Sequence, residues 1–291
     1  MTKRGDDLDD FLEQSTRRIQ EIQRSRQKEE EQMVLPLPDW PAKVIGVPST
    51  VVRSALFGLV KKGARRFVNR EKIASWGGVT IRYTGSMLDQ GDLDVWMQAI
   101  KRSKKDGLGN KVPCSLYSLL RDMGRKGRGK SDREWLKSSV NRMVACSVEI
   151  ETEGAVYSGN LIREFFYDKH QECFIFSVNP RLAKLFTDDY TQIPLAVRQQ
   201  LGSNFLKWLH AYILSHKATA SHPHYIKVEN LKNLSGSQRE TRKFKADLKQ
   251  ALEEMKKMNI LEEYWFTESN VLYFVRKKSV LLDYANLSDA P

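Results

Sequence analysis

A chain of 291 residues, 41% hydrophobic and 29% charged, is long enough for about two domains with cores of their own, which excludes disorder throughout. Its 48 Lys and Arg against 36 Asp and Glu give a net charge of +12, which points to a polyanionic partner, nucleic acid or an anionic membrane. No run of 18 apolar residues occurs, and Met1 to Asp10 is charged where a signal peptide is apolar, so a cytoplasmic protein is expected. Cys114, Cys146 and Cys173 are odd in number and widely spaced. They suit neither a disulfide framework nor a metal site and read as small core residues in a reducing compartment.

Residues 1–33 hold seven Lys and Arg and nine Asp and Glu, so this segment is −2 and the remainder is +14. Leu8, Leu12, Ser15, Ile19 and Ile22 recur at helical spacing, which leaves a partner helix and a partly disordered charged arm as the two readings. Pro36, Pro38, Pro41 and Pro48 then remove amide donors and favour extended chain. Residues 34–48 therefore read as a linker, with the folded body from Ser49 to Lys278 and a tail over 279–291.

Within the body one order of elements occurs twice. Residues 92–104 (Leu93, Trp96, Met97, Ile100) have helical periodicity, and 115–123 form a second short helix stopped by Gly124. Ser131-Asp-Arg-Glu134 is a capping box opening a third helix, with Leu136, Val140, Met143 and Val144 inward. Strand-like runs follow over 147–153, 156–167 and 173–178. The series then repeats: a helix over 204–215 (Phe205, Trp208, Leu209, Tyr212, Ile213), a short one over 228–234 before Gly236, and a third opened by Ser237-Gln-Arg-Glu240. Phe244, Leu248, Ala251, Leu252 and Met255 face inward there, and the runs 261–266 and 271–276 close as a hairpin. Helix, helix, capped helix and hairpin is the order of a winged helix-turn-helix. The expected fold is α+β, two tandem winged helix-turn-helix domains over 49–186 and 187–278.

Counting 100° per residue from Phe244, the face opposite the apolar stripe of the last helix carries Arg239, Arg242, Ala246, Lys249 and Gln250, with Lys243 and Lys245 at its edges. Ser237 and Gln238 lead into it. The corresponding face of the first capped helix carries Glu134, Ser138, Asn141 and Arg142, with Lys137 beside it and Ser131 at its start. Such a helix fits the major groove of B-DNA, where Arg pairs with guanine, Gln and Asn with adenine, and Glu with cytosine, while lysines and first-turn amides hold phosphates. One basic face alone means a solvated surface. Its recurrence in two repeated units of a +14 body favours double-stranded DNA over a membrane, and Arg163, Arg276, Lys277 and Lys278 are candidate contacts from the wings.

Gly124-Arg-Lys-Gly-Arg-Gly-Lys-Ser131 satisfies the phosphate-loop pattern GxxxxGK[ST]. That loop needs a buried strand directly before it, whereas 115–123 has helical spacing, and no apolar strand ending in Asp offers a magnesium ligand. The segment reads instead as an electropositive turn in which Arg125, Lys126, Arg128 and Lys130 suit a phosphodiester backbone. His222-Pro-His224 has the form of a nicking enzyme's histidine pair, but Pro223 cannot donate a central-strand ladder bond, so a turn is expected. No catalytic, cofactor-binding or metal-binding residue is assigned, and the chain reads as a binding protein, with a winged-helix transcription regulator as the first alternative to the family reading that follows and a P-loop-like ATPase as the second.

Arg53-Ser-Ala-Leu-Phe57, Ile81-Arg-Tyr-Thr-Gly85, Asp92-Leu-Asp-Val-Trp-Met-Gln98, Trp208-Leu-His210, Ser215-His216 and Tyr225-Ile-Lys-Val-Glu229 together resemble the TrfA-type plasmid replication initiators, in family order over about residues 35–276. The resemblance implies a protein that binds repeated origin sequences (iterons), helps open the adjacent AT-rich duplex and recruits the host initiator DnaA, the replicative helicase and the sliding clamp. It also implies a monomer active at the origin and dimers that limit copy number. Family members carry a clamp-binding stretch, Gln-Leu-x-Leu-aromatic, before the first domain. The corresponding segment here is Gln32-Met-Val-Leu35-Pro-Leu37-Pro38, which leaves Leu35 and Leu37 as clamp-binding candidates, displaces the aromatic to Trp40, and keeps a plain linker as the other reading.

Overall fold

The computed structural model describes residues 14, 17, 18, 21 and 37–278, apart from 62, 106, 126–128, 155, 169, 171 and 172, with only the backbone of Asp188. Gln14, Arg17, Arg18 and Glu21 are helical. The rest of the 1–33 arm, Leu35, Lys126, Arg128 and the 279–291 tail lie outside the described residues.

The body begins earlier than the prolines suggest. Val44, Ile45 and Val47 are apolar and β-branched, and Val44–Pro48 (β1) is a strand buried along its whole length. It pairs antiparallel with residues Tyr190–Pro194. Trp40, 5% exposed, packs on Phe186 and Tyr190 with ring centroids 6.1 and 5.9 Å away. A Cβ on Gly46 would lie 2.7 Å from the Trp40 ring, so only glycine admits the indole there. The expected linker is therefore core at Trp40 and over Val44–Pro48: Pro41 is exposed before the strand and Pro48 is its last residue, so neither interrupts its ladder.

Ser49–Val52 (α1) and Phe57–Gly58 (β2) lead to a hairpin of Phe67–Ile73 (β3) and Thr80–Ser86 (β4), after which Leu88–Asp89 (β5) pairs parallel with β2. Gln90–Ser103 (α2) opens on a reciprocal capping box that the sequence pattern had not marked. In it the Asp89 carboxylate accepts from Gly91 N (2.8 Å) and Asp92 N (3.1 Å), while Asp92 accepts from Asp89 N (3.0 Å). Val112–Ser115 (β6), Leu116–Asp122 (α3) and Lys130–Val144 (α4) follow. The run expected over 147–153 is Ser147–Glu151 (β7), and the run over 156–167 is two strands, Val156–Gly159 (β8) and Ile162–Asp168 (β9), before Cys173–Val178 (β10). A 3-10 turn (Pro180–Lys184), Leu185–Asp188 (α5), Tyr190–Pro194 (β11) and Leu195–Gln200 (α6) connect to Asn204–Leu214 (α7). His224–Lys227 (β12), Val228–Leu234 (α8), Thr241–Lys257 (α9), Leu261–Phe266 (β13) and Val271–Arg276 (β14) complete a mixed fold of helices and strands.

The repetition is geometric as well as sequential. The series α2, β6, α3, α4, β9, β10 matches α7, β12, α8, α9, β13, β14, and the two three-stranded sheets share one topology, β6-β10-β9 and β12-β14-β13, with the last strand in the middle. Trp96 and Trp208, Leu116 and Val228, and Gly124 and Gly236 are each 112 residues apart. Both glycines close their helix in the left-handed region, at φ 75° and 69°. Each does so with the same pair of bonds: Gly124 N to Arg121 O and Arg125 N to Leu120 O, Gly236 N to Asn233 O and Ser237 N to Lys232 O. The first series is distinguished by the inserted β7–β8 hairpin, which extends a four-stranded sheet, β3-β4-β7-β8.

Buried apolar residues fall into two clusters, one from Trp40 to Leu195 joined by Ala211, the other from Val197 to Phe274. Cys114 and Cys146 belong to the first, where burial pushes their thiols up to about 12 and about 11. The two Ser-x-x-Glu boxes do not cap. The N-cap of α4 is Gly129 and that of α9 is Glu240, neither with a side-chain cap bond. Ser131 already lies inside the first turn of α4, and Ser237 Oγ instead accepts from Arg239 N at 3.3 Å in the turn before α9.

Candidate nucleic-acid interface

Helix α9 buries Phe244, Leu248, Ala251, Leu252 and Met255 at helical spacing, which turns the opposite side to solvent. Gln238, Arg239, Arg242, Lys243, Lys249 and Gln250 are exposed there, while Ser237 and Lys245 are half-buried. Its entrance has no side-chain cap, so the amides of the first turn remain available to an anion beside the Arg242 and Lys243 side chains. The neighbouring charges are paired lightly. Arg239 bonds Asp247, and Lys243 sits 3.1 Å from Glu240 with both side chains more than half exposed. Exposed pairs of this kind hold the side chain at about 0–1 kcal/mol and exchange readily for a phosphate. Arg242 has no ion-pair partner among the described residues.

Helix α4 buries Leu136, Ser139, Val140 and Met143 and exposes Lys130, Ser131, Glu134, Ser138 and Asn141. Arg125 lies at the turn before it, its guanidinium 3.8 Å from the Trp135 ring centroid and 3.9 Å from Asp132. Arg142 departs from the expected face. Its side chain turns inward and donates Nη2 to Asp92 Oδ1 at 2.6 Å and Nε to Oδ2 at 3.3 Å, so this cation is committed to a buried carboxylate.

Each of these two helices also meets its own hairpin. Lys137 on α4 lies 4.3 Å from the centroid of Tyr167 on β9, and Lys245 and Lys249 on α9 lie 5.2 and 5.7 Å from that of Phe266 on β13. Lys245 further donates to Asn270 Oδ1, at a turn residue held at φ 58°. The aromatic seats orient lysines that would otherwise sweep freely, and they join helix and hairpin into one basic surface. Nothing in the spacing of Tyr167 or Phe266 singled them out; the only sequence signal was their place next to the hairpin turns. Of the wing candidates, Arg276 donates Nη1 to Leu214 O at 2.8 Å and closes the end of α7 instead. Lys277 is half-buried and Lys278 exposed.

The pattern GxxxxGK[ST] follows α3, a helix, where a phosphate loop requires a strand. His224 starts β12 and stacks on His216 at 3.7 Å with Nε2 3.0 Å from Tyr212 Oη, while His222 is exposed in the preceding turn. Among the described residues no group of three or more His, Cys, Asp or Glu side chains could hold a metal ion, and no helix is long and apolar enough to cross a membrane. Leu37 packs against the first core, and Trp40 is buried beneath the Lys104 ammonium, 4.8 Å from its ring centroid.

Residues 3–275 match a family model described as TrfA protein. The chain is 23% identical over 254 residues to the plasmid replication initiator protein TrfA of Escherichia coli, covering 84% of this chain and 65% of that protein, so it spans about two thirds of its relative's length at most. Among solved structures, domains 2 and 3 of RctB superpose with a TM-score of 0.54 at 13% identity, over 79% of this chain and 99% of that one. A second crystal structure of RctB domains 2–3 gives 0.51 at 12% identity, over 81% and 99%.

Proposed function

Because the chain belongs to the TrfA family, we propose that it is a plasmid replication initiator that binds repeated origin DNA sequence-specifically through two tandem winged-helix domains. The domains correspond to about residues 49–186 and 187–278, with β1 contributed to the first from the segment before it. The observation that carries this reading is the twice-built surface, α4 with its hairpin and α9 with its hairpin, each with an exposed polar and basic face and each with a lysine seated on a hairpin aromatic. In this reading Arg239, Arg242 and Gln250 of α9 and Glu134, Ser138 and Asn141 of α4 read base edges in the major groove. Arg125, Lys126, Arg128, Lys130, Ser131, Lys137, Ser237, Gln238, Lys243, Lys245 and Lys249 fix register on phosphates. Arg142, held by Asp92, positions α4 from within rather than touching bases. Opening of an AT-rich stretch, recruitment of DnaA, the helicase and the clamp, and control by a monomer-dimer equilibrium follow from the family as further parts of the proposal.

Selection of bound sequences from a random duplex pool, followed by permanganate probing of the bound repeats joined to an AT-rich stretch, tests this. The expected result is one preferred duplex sequence and permanganate-reactive thymines beside it. A preferred sequence without reactive thymines would make the protein a winged-helix transcription regulator instead, and no preferred sequence would remove the duplex-reading role altogether.

A further inference from the structure

The first turn of α2, the opening helix of the first series, touches α4 of its own series and α7 of the second. On one side Asp92, fully buried, accepts from Ser139 Oγ and Arg142 Nη2 of α4, both at 2.6 Å, and from Arg65 Nη1 at 3.0 Å. Two residues on, Asp94 accepts from Arg198 Nε of α6 at 2.5 Å and from Lys207 Nζ of α7 at 2.6 Å. Arg198 is 2% exposed; it gives Nη2 to Gln90 Oε1 at 3.0 Å and Nη1 to the Lys207 carbonyl at 3.1 Å. Helix α7 in turn packs on α9, with Phe205 and Phe244 ring centroids 5.3 Å apart. A continuous series of directional contacts thus runs from one basic helix to the other.

Buried ion pairs add little net stability over apolar packing of the same volume, but they are angularly selective in a way that apolar packing is not. We propose that Asp94, Arg198 and Lys207 are positioning residues that hold the two DNA-facing helices at one separation and angle, so that the chain accepts a single spacing between the two halves of its binding site. The inference rests on the duplex reading above. A rigid pair of heads gains the second contact only at the matching spacing, whereas a loose pair gains it over a range. One inserted base pair turns the far half-site by about 35° and moves it about 3.4 Å, well beyond what fixed helices can follow.

The test uses the full chain and a duplex selected from a random pool, with one, two and five base pairs inserted at the centre of the protected stretch. Wild type is expected to lose about tenfold or more in affinity on one insertion, whereas Asp94→Asn and the milder Lys207→Met, at a side chain 19% exposed, lose less than about threefold. Asp94→Glu, which keeps the charge, should restore the wild-type profile. Ile150→Ala, a core truncation in the inserted β7–β8 hairpin, should lower the melting temperature and leave the profile unchanged. A wild-type profile in both Asp94→Asn and Lys207→Met overturns the positioning role while leaving duplex binding intact; a pool that yields no preferred sequence overturns the duplex reading and the positioning role with it.

Discussion

Arg242 and Lys130 look alike as charges and differ in setting. Arg242 projects from the second position of α9 beside Gln238 and Arg239, whereas Lys130 opens α4 at the end of a glycine turn. Arg242→Ala is expected to cost about 1–3 kcal/mol of discrimination between the selected duplex and random duplex, because a base-edge contact is lost. Lys130→Ala should weaken both duplexes alike and lower the salt dependence of binding by about one counterion, because only a phosphate contact is lost. Competition binding at several salt concentrations separates the two outcomes, and equal loss on both duplexes for Arg242→Ala would remove it from the base-reading set. Arg142 shows where counting 100° per residue fails. The angular position was right, but a wheel carries no knowledge of the Asp92 carboxylate across the interface, which converts an edge position into an internal one. Histidines give a second prediction at this scale. Burial, aided by Arg198, takes His210 down to about 3, and burial, followed by His224, Arg53 and Arg276, takes His216 down to about 2, from an ordinary 6.5. Both are neutral in the fold, so the unfolded chain binds protons that the fold excludes. Their stabilisation is whole above about pH 6.5 and is lost as pH falls toward 3, at up to about 1.4 kcal/mol per pH unit for each. Thermal melts between pH 7 and 4 should show this decline, and His216→Phe should make it shallower; an unchanged slope would exclude His216 as a contributor.

At the scale of elements, helix ends tied to glycine were legible because their chemistry is local. Gly124 and Gly236 were visible as stops, and each occupies a left-handed position that costs a side chain strain. Gly236→Ala should therefore destabilise by about 1–2 kcal/mol in denaturant melts, while Gly202→Ala, where a new Cβ meets nothing within 4 Å, should be close to neutral. The helix starts were less legible. Ser-x-x-Glu marks a capping box only when the serine sits at the boundary, and at 131 and 237 the boundary residue, Gly129 or Glu240, falls two residues before and three after it. Strands β1, β3 and β4 escaped for two different reasons. Ile45 finds its partner in Ile193, far along the chain, so no local pattern announces the pair. The β3 sequence Phe-Val-Asn-Arg-Glu-Lys-Ile loses its alternation at an irregularity between Val68 and Glu71, where Arg70 adopts φ 48°.

For the molecule as a whole, the order of elements and the second series were readable because the repeat supplied a check on itself, whereas the way the two halves are joined was not. The join consists of long-range contacts: β1 with β11, α2 with α6 and α7, and Leu59 N donating to Ser235 O at 2.8 Å. A chain starting at Ser49 loses Trp40, Ile45 and Val47 from the first core, loses the buried Val44 beside them, and leaves β11 without its partner. It should lose about 5 kcal/mol or more relative to a chain starting at Leu37, enough to unfold an ordinary domain at physiological temperature. Melting curves of the two truncations check this, and equal midpoints would return the segment to the role of a tether.

The two equivalent helices share some outward residues and differ at others. At the 112-residue offset Lys137 coincides with Lys249 and Lys130 with Arg242, whereas Glu134, Ser138 and Asn141 of α4 stand where α9 has Ala246, Gln250 and Glu253. A homodimer of identical heads would read a palindrome, indifferent to which way round it lay. Under the proposed duplex reading, two unlike heads in one chain give their target a head and a tail, so copies of that target set in one direction seat their proteins with a common polarity.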